Sequence, residues 1–138
     1  MSNPSNPSLY ERLGGVYGIA GVVDVFIDRI MVDPVLNANP LVDEAHHRVP
    51  KAGFKYLVTE MVCMATGGPQ RYTGKAMAES HQHLKITPAE WDVFAGHFKA
   101  VLDQFKVPER EQQELFEIVG TTRGDIVVES AAASRKAG

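Results

Sequence analysis

The residues able to do chemistry in this sequence are above all its histidines. Five occur, His46, His47, His81, His83 and His97, and His81 is set apart by its neighbours. Met77, His81 and Leu84 fall at i, i+4 and i+7, so on a helix they share one face. A lone histidine on an apolar face is, taken alone, more often a packing residue than a ligand. Flanked above and below by apolar side chains, however, this imidazole is presented to something apolar. A flat, hydrophobic macrocycle with iron at its centre answers that description, because haem iron takes an axial imidazole while the porphyrin needs apolar walls. His83 is the competing ligand. It lies two residues on, about 200° around a helix, so it and His81 cannot face the same iron. The plain reading of His83 and His97 is that they are polar residues facing solvent.

The segment that must position His81 spans residues 67–87. Gly67-Gly68-Pro69 ends the helix before it, since glycine tolerates left-handed backbone angles and proline cannot continue a hydrogen-bonded turn. After Gly74, residues 75–82 allow no more than about two turns at roughly 3.6 residues each. The chain before this segment opens with a Ser-Asn-Pro repeat, so residues 1–7 read as a flexible tail. Ser8 and Glu11 have capping-box spacing for a short helix over 9–13, which Gly14-Gly15 stops. Ile19, Val22, Val23, Phe26, Ile27 and Ile30 predict an amphipathic helix over 16–32. Pro34, Pro40 and Pro50 with Asn37 and Asn39 then predict a long irregular corner over 33–50, with one turn of helix at 42–47. A helix from 50 to 66 buries Phe54, Leu57, Val58, Met61, Val62 and Ala65. Beyond the histidine segment, Thr87-Pro88-Ala89-Glu90 is a strong helix start. Trp91, Phe94, Ala95, Phe98, Val101, Leu102 and Phe105 form one face of that helix. Val107-Pro108 opens the last helix, carrying Leu115, Ile118, Val119, Thr122 and Ile126, and residues 129–138 read as a second flexible tail.

No segment alternates with period two for long enough to predict a strand, so the fold class is all-α, with one domain over 8–128. With 138 residues the chain has no room for a second domain. Its formal charge of −3 offers no footprint for nucleic acid or an anionic membrane surface. No stretch approaches the ~20 apolar residues of a membrane span, and the polar start has no signal-like apolar region. The single cysteine, Cys63, excludes an internal disulfide and suits a reducing compartment, so a cytoplasmic location is expected.

Two parts of the pattern carry a family resemblance. Leu9-Tyr10-Glu11-Arg12-Leu13-Gly14-Gly15 resembles the opening helix and glycine pair of the group I truncated haemoglobins. Gly67-Gly68-Pro69, Tyr72-Thr73-Gly74, Met77, His81-Gln82 and Ile86-Thr87 resemble that family's loop and proximal-histidine region. The resemblance implies a two-over-two helical sandwich enclosing haem b, with His81 as proximal ligand to the iron. It places Met77 and Trp91 on the proximal side, with Leu84 and Val119 also assigned to the haem lining. It implies oxygen, nitric oxide or carbon monoxide as ligands, an electron-donating reductase as a possible partner, and a monomer or weak dimer.

The distal side departs from the family pattern. Group I members typically have a tyrosine directly after a phenylalanine in the first long helix, but here Phe26 is followed by Ile27. Aligned on Gly67-Gly68, the next helix puts Phe54 and Val58 where the family often has polar groups, so the distal face reads as apolar. The usual phenylalanine pair of the corner is replaced by Asn39-Pro40. His46 or His47 is a candidate sixth ligand; the alternative is that both face solvent. Besides reversible gas binding, two other functions stay open: haem redox catalysis, such as nitric oxide dioxygenation or peroxidase-like chemistry, and a haem-free helical interaction protein. A non-haem metal site drawn from His46, His47, His81 and Glu60 lacks the Glu-x-x-His repeat of di-iron bundles.

Overall fold

A computed structural model describes residues 6–128. The predicted tails fall mostly on residues 1–5 and 129–138, outside the described residues. Ser8 caps α1 (Leu9–Arg12) by accepting from the Glu11 amide at 3.2 Å. Gly14, at φ +92°, then turns the chain into α2 (Gly15–Met31), which buries Ile19, Val23, Phe26, Ile27 and Ile30. The glycine is needed there because a side chain is disfavoured at that backbone angle.

The corner over 33–50 is not irregular as the prolines suggested. It forms two helices, α3 (Pro34–Asn37) and α4 (Pro40–Arg48). Each proline sits in the first turn, where its missing N–H is no loss, and the residue before it caps the helix. Asp33 Oδ1 accepts from the Leu36 amide at 2.9 Å, and Asn39 Oδ1 from the Leu41 amide at 3.0 Å. Helix α5 (Lys51–Ala65) follows, then α6 (Met77–His81) with a 3-10 turn at Gln82–Leu84. Helix α7 (Pro88–Gln104) starts on the expected capping box. The predicted last helix is divided: α8 (Glu109–Gly120) stops short, and α9 (Arg123–Ile126) is a separate turn. Val127 then forms an isolated parallel bridge with Ile86. Ala65 and Phe105 are exposed rather than buried, because both lie in the final turn or cap where the helix leaves the core.

Helix α2 packs most extensively against α5 and also crosses α7. Helices α7 and α8 are joined by the Phe98 and Phe116 rings, 5.3 Å apart, and by Lys99 Nζ donating to Gln112 Oε1 at 3.0 Å. The long helices thus form two pairs, the all-α two-over-two arrangement expected. Phe26 joins the pairs, its ring 5.2 Å from both Phe94 and Phe98. Such aromatic pairs add about 0.5–1.5 kcal/mol beyond the area they bury. Charged groups fasten the periphery. Arg12 donates to both Glu114 carboxylate oxygens, at 2.6 and 2.8 Å, and to Glu111 at 2.9 Å, tying α1 to α8. Lys55 pairs with Asp24 and Asp28, tying α5 to α2.

Candidate functional site

The site begins where α5 ends. Gly67 takes φ +100°, and a Cβ on Gly68 would lie 2.6 Å from the Tyr10 ring, so both glycines are required for the chain to cross α1. Tyr10 secures this crossing: its amide donates to the Thr66 carbonyl at 2.8 Å, and its hydroxyl accepts from Gln70 Nε2 at 3.1 Å. Further along the loop, the Thr73 amide and hydroxyl both donate to Glu60 Oε1 on α5, at 3.1 and 2.6 Å. The Thr73 hydroxyl outweighs burial and holds the Glu60 carboxyl below its ordinary value.

The loop delivers the chain to α6, whose last residue is His81. The ring is half-buried, and its Nδ1 lies 3.0 Å from the Met77 carbonyl oxygen and 2.8 Å from Ser80 Oγ. A carbonyl can only accept, so Nδ1 carries the proton and Nε2 keeps a free lone pair. Burial lowers the imidazole's affinity for a second proton, favouring the neutral ring. A neutral imidazole oriented through Nδ1 and offering Nε2 is the form in which histidine ligates a metal.

Of the apolar residues assigned to the lining, Ile27, Phe54, Val58, Leu84 and Val119 belong to one core, and Met77 and Trp91 are not part of it. Ile27 is 1% exposed within it, while Phe54, Val58, Leu84 and Val119 are half-buried and pack against it. Trp91 is 9% exposed, its ring 5.2 Å from Phe94, and Met77 is half-buried one turn before His81. Phe54 and Val58 of α5 and Leu84 after α6 thus retain partly uncovered apolar surface.

The other histidines are differently engaged. His83 is exposed. His97 is not a simple solvent-facing residue: its Nε2 donates to Asp33 Oδ2 at 2.6 Å, and its Nδ1 accepts from Arg29 Nε at 3.1 Å, binding α7 to α3 and α2. The His47 side chain is 79% exposed, with Nδ1 donating to the Asp43 carbonyl at 2.8 Å. His46 is half-buried, and its Nδ1 lies 2.6 Å from Asn37 Oδ1. Asn37 is itself oriented by donating from Nδ2 to the Met31 carbonyl at 2.9 Å.

Among the described residues no three His, Cys, Asp or Glu side chains are grouped to hold a metal ion, so the four residues of the non-haem reading do not converge. One available imidazole suits an iron whose other ligands come with a macrocycle, and the half-buried apolar side chains suit the macrocycle's faces; these residues fit haem. A shallow groove between Lys99, Glu109, Gln112 and Phe116 contains none of the candidate residues. Sequence reasoning missed Asn39, which is 1% exposed, and the Glu60–Thr73 link. Asn-Pro is a readable helix start, but nothing in it indicates the distant carbonyl that the asparagine also binds.

An all-α sandwich of two helix pairs, with one oriented imidazole on a short helix between them, defines a globin-like domain. The sequence model of the family described as bacterial-like globin matches residues 8–128, and the chain belongs to that family, whose members are haem proteins binding diatomic ligands. It is 29% identical over 118 residues to the group 1 truncated hemoglobin of Synechocystis, covering 82% of this chain and 90% of that protein. It resembles the solved 2/2 hemoglobin of Synechococcus in the cyanomet state with covalently attached heme. That likeness has 26% identity and a TM-score of 0.76, covering 87% of this chain and 98% of the other. The truncated hemoglobin of Tetrahymena pyriformis, in its Fe(III) form, has the same fold, with a TM-score of 0.75 at 23% identity, covering 88% and 99% of the two chains. Among the described residues no helix is long and apolar enough to cross a membrane.

Proposed function

We propose that the chain is a group I truncated haemoglobin that binds haem b through His81 Nε2 and takes oxygen, nitric oxide or carbon monoxide on an apolar distal face. The observation that carries this reading is the His81 imidazole, oriented by the Met77 carbonyl so that Nε2 is free. Met77 and Trp91 cover the proximal side, Leu84 and Val119 add to the haem lining, and Ile27, Phe54 and Val58 form the distal face. When bound, the haem supplies the iron at which the gas is coordinated. The protein's part is to hold one imidazole in its neutral form and to exclude water with apolar walls.

The distal face has no assigned hydrogen-bond donor, which favours reversible binding over oxygen-dependent turnover. Reversible binding needs only ligation at the iron, whereas redox turnover would also call for an electron-donating reductase as partner. Cys63 is buried, and burial pushes its thiol pKa up, so it acts as a packing residue. His46 is the better placed of the two candidate sixth ligands, because its half-buried ring already uses Nδ1 on Asn37. Titration with haemin, followed by dithionite reduction and carbon monoxide, tests the proposal. Uptake of one haem per chain and a Soret band that shifts with carbon monoxide are expected; no stoichiometric uptake would defeat it. A ferrous spectrum that is five-coordinate and high-spin before gas is added would remove His46 and His47 as ligands.

A further inference from the structure

The helix that carries His81 cannot hold itself in place. It has five residues, none of them buried, whereas isolated helices shorter than about 12–15 residues are marginal in water. It packs against α9, and its position is otherwise set by what grips the chain on either side, which downstream includes the Val128 amide donating to the Ile86 carbonyl at 2.9 Å. Upstream the grip is Thr73 on Glu60. Downstream, the 3-10 turn Gln82–Leu84 ends at Lys85, whose left-handed backbone (φ +53°, ψ +50°) reverses the chain. The Leu84 carbonyl, three residues after His81, accepts from Asn39 Nδ2 at 3.0 Å.

We infer that Asn39 is the positioning residue for His81: from the corner between α3 and α4 it fixes the far end of the proximal segment, and through it the approach of the imidazole to the iron. This rests on the reading of His81 as the proximal ligand. The asparagine is 1% exposed, and its side chain is fully used. Its two Nδ2 hydrogens meet Leu84 O and, at 3.2 Å, Glu90 Oε1, while Oδ1 accepts from the Leu41 amide at 3.0 Å. Glu90 Oε1 also accepts from the Thr87 amide at 2.9 Å, so Asn39 joins the capping box that starts α7. One buried amide thereby binds the start of α4, the end of the histidine segment and the start of α7. An apolar side chain could fill the corner, but only a directional donor sets where the Leu84 carbonyl lies. Its loss leaves the Leu84 carbonyl short of its buried partner, which the segment relieves by moving, while Glu90 Oε1 keeps the Thr87 amide.

Asn39→Asp tests this by keeping the shape and the Oδ1 cap while replacing the Nδ2 donors with a carboxylate oxygen that faces Glu90; Asn39→Ser adds no charge and keeps a capping oxygen, but its shorter side chain cannot span to both Leu84 O and Glu90 Oε1. In the apoprotein, amide hydrogen exchange over residues 77–87 is expected to quicken at least tenfold in either variant, with residues 9–12 unchanged. In the ferrous haem protein, the iron–imidazole stretching band is expected to shift and broaden, and haem loss to accelerate. Arg12→Gln, which cuts the ion pairs between α1 and α8, should lower stability without moving that band. Folded variants with unchanged exchange, or with faster exchange and an unmoved band, overturn the positioning role. A wild type that takes up no haemin removes the reading on which it rests, and exchange then reports on the tether alone.

Discussion

At the scale of single residues, the site depends on which atoms are already engaged. The Met77 carbonyl occupies His81 Nδ1 at 3.0 Å and so decides which nitrogen is free. Arg29 and Asp33 occupy both nitrogens of His97, which removes it from competition. On the proposed distal face, position 27 works in the opposite sense, because isoleucine offers no donor. A hydroxyl there, bonding to a partly anionic ligand, would contribute about 1.5–3 kcal/mol, or roughly ten- to a hundredfold in residence. Ile27→Tyr is therefore expected to slow oxygen dissociation by that factor, measured by stopped-flow displacement with carbon monoxide. Ile27 is fully buried, so the larger ring should also lower stability, by about 1–3 kcal/mol. Unchanged dissociation in the folded variant would show that residue 27 does not face the ligand.

At the scale of elements, short helices are held by neighbours, not by their own propensity. The Glu60–Thr73 bond illustrates this and predicts a pH dependence. Glu60's folded value is depressed below its ordinary 4.5, so the bond's contribution is fully present above that pH and is lost as pH falls through the folded value. Thermal melts of the wild type and Glu60→Gln should differ by a few degrees at pH 6–7 and converge as the pH falls below 4.5 and through the depressed folded value. A gap that stays constant with pH would contradict the ionised bond.

The same scale explains what the sequence conveys and what it hides. Long helices were legible because each buries a stripe at helical spacing, and the α7 start because Thr87, Pro88 and Glu90 form a local code. The corner over 33–50 is hidden because Pro34 and Pro40 read locally as breakers. Whether a proline breaks or begins a helix depends on the cap before it, here Asp33 and Asn39. His81 was legible from Met77 and Leu84 together with the family pattern. Asn39 was not, because its bond to the Leu84 carbonyl spans 45 positions, a tertiary fact that no local spacing encodes.

At the scale of the whole molecule, the two helix pairs form a frame tied at its edges by Arg12 with Glu111 and Glu114 and by Lys55 with Asp24 and Asp28. Inside it, apolar residues of α2, α5 and α8 and the segment around His81 share one core, from which Phe54, Val58 and Leu84 remain partly uncovered. The frame is built to hold a hydrophobic body against one imidazole. The most direct test compares the ferrous haem protein with His81→Gly, with and without added imidazole. The wild type should show an imidazole-ligated ferrous spectrum that the variant loses and regains when free imidazole enters the space left by the side chain. A His81→Gly protein that keeps a histidine-ligated spectrum without added imidazole would contradict the assignment of His81 and move the iron's ligand to another histidine.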